Sequence, residues 1–301
     1  MRLTRRSIDD AGQRIRVYSE RPDDFKIVRA YRELRCLGLS TLFERVATLI
    51  EDEPCVLSCR VKRTDTIIRK LRRENAMDLS RMEDMIAFRT ICASFGVQKR
   101  VCEKLRQGLQ PKKIRDYTDA ATSAGYRAIH IVMTQALSDP DGKVTYAYPC
   151  EIQLRTLFQH LWATTSESFG EQVKEGGGTS DEREYLKELS ENIQSWENVN
   201  PEIFQIDNLK TTVTTSFWVI VFDKATGHSS LNEPFDNRLN DAVTRMLYLE
   251  ELYRADFSHE IVLIGVPTGQ SEARITHMRY FHYKGIPELS EAIRPKRERP
   301  V

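Results

Sequence analysis

Four blocks of chemistry-bearing residues lie between positions 60 and 156: Arg60-Val-Lys-Arg63, Asp84-Met-Ile-Ala-Phe-Arg89, Asp116-Tyr117 followed by Gly125-Tyr126-Arg127 and His130, and Glu151-Ile-Gln153-Leu-Arg155-Thr156. They gather two carboxylates, several fixed cations and a Gly-Tyr turn. Moving a phosphate-bearing group between two nucleotides needs such a set. Cations hold the charged donor, carboxylates hold a hard metal ion, and positioning does most of the remaining work.

Asp84 opens an apolar stretch and Glu151 ends another. Carboxylates at strand ends of a mixed sheet commonly converge on Mg²⁺. On spacing alone, a turn-capping Asp84 and a solvated edge Glu151 stay equally open. Arg60, Lys62, Arg63, Lys70 and Arg89 are of the type that binds a triphosphate, and guanidinium groups also stack on purines. Arg69, Arg72 and Arg73 fall on the exposed side of their helix. Arg89 follows Ile86-Ala-Phe88, where a charge needs a partner.

Gly125 lets the backbone turn, and Tyr126 can present its ring to a base. Alternation puts His130 on the side of Tyr126, although a lone strand histidine is more often structural. The same alternation aligns Glu151, Gln153 and Arg155 against apolar Ile152 and Leu154. That face makes a poor core and a good site wall. His160, His228, His259, His277 and His282 read as structural or surface residues.

These side chains need a frame. Residues 23–50 read as two helices broken at Gly38, followed by a helix over 64–74 with Thr64 as N-cap and Ile67, Ile68 and Leu71 inside. A buried strand is expected at 86–93, a helix at 98–106, and strands at 112–118, 127–136 and 144–153. Asp139-Pro-Asp-Gly142 should turn the last two into a hairpin. Leu154, Leu157, Phe158, Leu161 and Trp162 mark a helix face, Gly176-Gly-Gly178 a break, and 181–197 an acidic helix.

Beyond residue 206 the pattern reads strand (216–222), helix (236–254), strand (260–266), strand (274–281) and a short helix (286–293). It suggests a small α+β sandwich. The organisation expected is therefore an N-terminal extension (1–22), a main domain (23–205), a small α+β domain (206–293) and a basic tail (294–301).

The 301 residues are 40% hydrophobic and 30% charged, with a net charge of +1, which describes an ordinary globular protein able to bury a core. The net charge says nothing about an overall nucleic-acid footprint and hides local asymmetry: Lys99 to Arg115 is basic and could face an RNA backbone or be a solvated helix and strand edge. Six cysteines without a C-x-x-C pair read as reduced thiols. No apolar run follows the basic N-terminus or reaches bilayer length, so a cytoplasmic protein without a membrane span is expected.

The blocks resemble the synthetase domain of the RelA/SpoT alarmone synthetases, the small single-domain branch in particular. The match runs through Arg60 and Lys62, Lys70, Asp84 and Arg89, Asp116-Tyr117, Gly125-Tyr126 with His130, Glu151-Ile-Gln153-Leu-Arg155-Thr156, and Trp162-Ala163. The resemblance implies an α/β (α+β) fold, a nucleotidyltransferase-like mixed β-sheet flanked by helices. It implies transfer of pyrophosphate from ATP to the 3′-hydroxyl of GDP or GTP, with Mg²⁺ as cofactor.

On that resemblance, Arg60 and Arg89 would sandwich the adenine, and Lys62 and Lys70 would hold ATP phosphates. Asp84 and Glu151 would bind the metal, with Glu151 also activating the hydroxyl. Tyr126 would stack on the acceptor base, and His130, Gln153 and Arg155 would order the acceptor. Three departures stand out: Ala121-Thr122 replaces the Pro-Lys of the acceptor loop, Arg63 replaces a serine, and Ser166-Glu167 replaces Glu-His. Some relatives are toxins that pyrophosphorylate the tRNA 3′-end, so tRNA is the alternative acceptor. A catalytically inactive nucleotide-binding regulator is the other. The hydrolase domain of bifunctional members is not expected, because no His-Asp dipeptide occurs. A homo-oligomer and a neutralising or regulatory protein partner are left open.

Overall fold

Strands whose residues alternate between apolar and polar can bury one face and leave the other for chemistry. A computed structural model describes residues 3–138, 144–168, 178–200, 209–254, 256, 258–267, 276–277 and 280. Helices α1 (Arg5–Arg16), α2 (Pro22–Cys36) and α3 (Leu39–Ile50) lead into strand β1 (Cys55–Val61) and helix α4 (Thr64–Arg73). After a 3-10 turn at Leu79–Arg81 come β2 (Ile86–Cys92), α5 (Phe95–Leu109), β3 (Lys113–Asp116), β4 (Ile129–Ser138) and β5 (Val144–Thr156). Then follow α6 (Leu157–Ser168), α7 (Ser180–Val199), β6 (Thr215–Asp223), β7 (His228–Pro234), α8 (Leu239–Leu252) and β8 (His259–Pro267).

The strands form one sheet in the order β3-β4-β5-β2-β1-β8-β6-β7. Only β2 and β5 run parallel; every other neighbouring pair is antiparallel. This is the mixed sheet flanked by helices that the family resemblance implies. Leu57, Cys59, Phe88, Ile131, Ile152, Leu154, Phe217, Val219 and Leu263 point to one side, into a core closed by Phe43 and Val46 of α3, Val101 and Leu105 of α5, and Met246 of α8. The opposite face is divided. Over β6 and β8 it is apolar, with Trp218, Ile220, Val262, Ile264 and Val266 clustered. Over β1, β2, β5 and β4 it carries charged and polar side chains.

Two smaller cores frame that polar area. Ile8 and Ile15 of α1 pack with Val28 and Tyr31 of α2, Ile67 and Leu71 of α4, and Leu79. Residues 1–22, read as an extension, thus supply a packed helix. At the other end Phe158 and Trp162 of α6 meet Leu186, Leu189 and Ile193 of α7.

Other readings are corrected by the fold. Thr64 is the first helical residue of α4; Arg63 is the N-cap and makes no side-chain cap bond. Leu154 belongs to β5, not to the following helix. Arg72 is not on an exposed face: it donates to Glu20 at 2.8 Å and lies over the Tyr18 ring. The C-terminal unit has an extra edge strand, β7, and β8 pairs with β1, so its strands continue the main sheet rather than build a second layer. The Asp139–Gly142 turn, Gly176-Gly177, most of 274–281, and 286–301 lie outside the described residues, although β4 and β5 do pair as a hairpin.

Candidate active site

Register concentrates the four blocks. Ser58, Arg89, Gln153, His130 and Arg115 are successive Cα partners across β1, β2, β5, β4 and β3. One step along the strands, Arg60, Ala87 and Glu151 are partners in the same way. Partnered residues share a face, so the predicted alternation becomes a physical wall.

At its β1–β2 end, Asp84 lies in the turn before β2. It accepts hydrogen bonds from Lys62 Nζ at 2.8 Å and Lys70 Nζ at 3.0 Å. Lys62 follows β1 directly and Lys70 comes from the last turn of α4. Burial alone would raise the Asp84 carboxyl, but the two ammonium groups hold it far below the usual carboxylate range. Burial pulls Lys62 down, against the pull of Asp84. Two cations on one carboxylate leave excess positive charge, which suits a polyphosphate.

Glu151, only 6% exposed, accepts from Gln153 Nε2 at 2.7 Å and meets His130 Nδ1 at 2.8 Å. The other ring nitrogen of His130 meets the Tyr126 hydroxyl at 2.7 Å. Arg155 donates to Tyr126 Oη at 3.0 Å and to Gln153 Oε1 at 2.9 Å. Burial would lower His130, yet Tyr126 and Glu151 raise it to about 9, so it is an imidazolium at neutral pH. Against the effect of burial, His130 and Gln153 hold Glu151 below its ordinary value. Arg155 and His130 likewise outweigh burial at the Tyr126 phenol and lower it.

Arg89 is lowered to about 9 by burial and by its neighbours Arg155 and Arg60, and it stays charged at neutral pH. Its Nη1 donates to the Thr276 carbonyl at 2.8 Å. The Nε atoms of Arg89 and Arg155 are buried without a hydrogen-bond partner among the described residues. Buried donors of that kind call for an acceptor.

All ten residues singled out from the sequence therefore lie on or at the edge of one sheet face. Asp84, in the turn before β2, and Glu151, on β5, both face it, and Glu151 is buried rather than a solvated edge residue. Arg115 and His277 were missed, and Tyr117, named within the third block, was given no role of its own. Arg115 holds Glu83 through two bonds, at 2.7 and 3.0 Å, and lies 3.9 Å from Glu151. Its signal was strand alternation ahead of Asp116. Tyr117 stacks edge-on to His130, and its ring lies near that of Tyr126. His277, read as structural or surface, lines a cavity with Arg60, Arg89 and Gln153; only a long-range fold could reveal that.

The departures have local explanations. The Thr122 hydroxyl accepts from Tyr126 N–H at 3.1 Å and so shapes the turn that contains Gly125 at φ +89°. Arg63 pairs with Glu260 of β8 at 2.9 Å. Ser166 is buried and bonds back to Ala163 O, while the Glu167 charge acts on Arg89 and His277.

Residues 59–170 match the family model described as the region found in RelA/SpoT proteins. Over that stretch the chain is similar to the RelA/SpoT region. Over 115 residues it is 32% identical to an uncharacterised protein of Mycobacterium tuberculosis, Rv1366, covering 37% of this chain and 38% of that protein. Over 143 residues it is 29% identical to the GTP pyrophosphokinase YjbM of Bacillus subtilis, covering 45% and 64%. The chain thus spans less than two thirds of the length of these curated relatives. Small alarmone synthetase 1 of Bacillus subtilis, solved with its product pppGpp, aligns at 26% identity with a TM-score of 0.48, covering 57% of this chain and 92% of that one. The family match runs from the end of β1 through α6, and Arg60, Lys62, Lys70, Asp84, Arg89, Tyr126, His130, Glu151, Gln153 and Arg155 lie within it. Among the described residues no helix is long and apolar enough to cross a membrane.

Proposed function

We propose that the RelA/SpoT-like region transfers the β,γ-pyrophosphate of ATP to the 3′-hydroxyl of GDP or GTP, releasing AMP and forming a (p)ppGpp-type alarmone. One observation carries the reading. A cation-guarded carboxylate, Asp84, and a histidine-held carboxylate, Glu151, share a sheet face with arginines on one side and a Tyr-His-Gln-Arg cluster on the other. The GTP pyrophosphokinase relative supports the same chemistry.

In the reaction, the 3′-oxygen bonds to the β-phosphorus. The bond from that phosphorus to the α,β-bridging oxygen breaks, and AMP leaves with that oxygen. The hydroxyl proton passes to Glu151 or to water. Lys62 and Lys70 neutralise the polyphosphate, and Arg60 and Arg89 take the adenine between guanidinium planes. Tyr126 stacks the acceptor base, with Gln153, Arg155 and His130 fixing the acceptor beside it.

The carboxylates also fit Mg²⁺ as hard oxygen donors, both held ionised. Among the described residues no three His, Cys, Asp or Glu side chains cluster to cage an ion, so substrate phosphates and water would complete its shell. Bound there, the ion would neutralise charge on the moving phosphates. A depressed Glu151 pKa suits that role better than the role of a strong base.

The basic stretch does not favour tRNA. Lys99 pairs with Asp116, Arg100 with Glu53, Lys104 with Asp52 and Glu53, and Arg106 with Glu103. The test is an incubation of γ-labelled ATP with GDP, GTP and bulk tRNA in parallel. Label in a guanosine product, lost in Glu151→Gln, is the expected result. Label confined to tRNA, or to neither, would overturn the reading.

A further inference from the structure

We infer that the chain holds its own donor site closed, with Thr276 and His277 occupying the space between Arg60 and Arg89. This rests on the reading of that space as the adenine site. Residue 277 is far in sequence from the RelA/SpoT-like region, yet His277 lines the same small cavity as Ser58, Arg60, Arg89 and Gln153. Thr276 is fully buried and His277 is 6% exposed.

One bond ties the pair to the sheet and another links its two members. Arg89 Nη1 donates to the Thr276 carbonyl at 2.8 Å, and Thr276 Oγ1 lies 2.9 Å from His277 Nδ1. Tyr280 anchors the far end. Its ring lies edge-on to Phe222 at 5.3 Å, its carbonyl accepts from Ser229 Oγ at 2.9 Å, and it packs on the apolar patch of β6 and β8. The C-terminal strands therefore do more than widen the sheet: they carry the ground on which the closing residues stand.

The chemistry at the contact imitates a nucleobase. Burial, then Arg89 and Arg60, push the His277 imidazole well below its ordinary pKa. It is a flat neutral ring beside Arg89 and Arg60, with a hydrogen-bond acceptor next to it, as adenine offers in its ring nitrogens. The cavity left is about 10 Å³, room for roughly one water and not for a base. ATP and Thr276-His277 must compete. A site that is open only a tenth of the time shows about a tenfold weaker apparent affinity.

Binding of labelled ATP with Mg²⁺, without acceptor, tests this on the full chain by equilibrium dialysis. The variants are His277→Ala and, lying outside the site, Tyr280→Ala. Both should bind ATP about tenfold more tightly than wild type. Amide exchange at His277 in the wild-type chain should rise when ATP is added. Equal affinity in all three proteins, with binding lost on Arg89→Ala, overturns the closure and leaves the adenine-site reading standing. Tighter binding in His277→Ala that is lost in His277→Ala/Arg89→Ala supports both. Binding indifferent to Arg89→Ala overturns the adenine-site reading and the closure with it.

Discussion

His130 sits between the Tyr126 hydroxyl and the Glu151 carboxylate, and its charge sets the character of both. Burial opposes that charge, but its two partners prevail and raise the group from 6.5 to about 9. A group that holds its proton more tightly in the folded state stabilises the fold fully below pH 6.5. That contribution is lost as pH rises through about 9. Melting temperature should fall across this window by the equivalent of a few kcal/mol at most, and His130→Asn should flatten the fall. Glu151→Gln should cut turnover on the order of a hundredfold or more while leaving the fold intact, read by steady-state kinetics and circular dichroism. A carboxamide there can still meet His130, but it neither binds a metal well nor takes a proton.

At the scale of elements, α7 is docked through a buried acid. Glu197 meets Gln159 of α6 at 3.4 Å, and Gln159 in turn meets Gln98 of α5 at 2.8 Å. Burial raises Glu197 to about 7, against the pull of Thr156, Gln159 and Arg127. The protonated form favours the fold at low pH, and its contribution fades as pH rises through 7. Glu197→Gln should therefore be neutral below pH 4.5, gain as pH rises from there to about 7, and stabilise by about 3 kcal/mol above it, measured by urea melts. Much of this layer was legible in the sequence. Glu151, Gln153 and Arg155 declared a period of two, and Gly38 declared the break between α2 and α3. Leu154 deceived because Leu154, Leu157 and Phe158 also fit a helical period, and pairing with β2 decided the matter. β7 went unseen because an edge strand with one neighbour needs no apolar run, and its residues alternate only between exposed and half-buried.

At the scale of the molecule, the hidden information was long-range. Nothing local announces that β8 will pair with β1, that Arg63 will meet Glu260, or that His277 will reach Arg89. These depend on partners brought together only by the whole fold. A second long-range tie, fully buried Arg32 of α2 with Glu250 of α8 at 2.5 Å, joins the N-terminal helices to the C-terminal unit. Glu250→Ala leaves that guanidinium without its carboxylate and should cost about 3 kcal/mol, read as a lower midpoint in denaturant. Which bond breaks is read directly by label at the β-phosphate of ATP. With GDP as acceptor, the wild-type chain and His277→Ala should both move that label into the guanosine product and release AMP in equal amount, the variant faster. Release of labelled ADP, or no labelled guanosine product even from His277→Ala, would contradict the account.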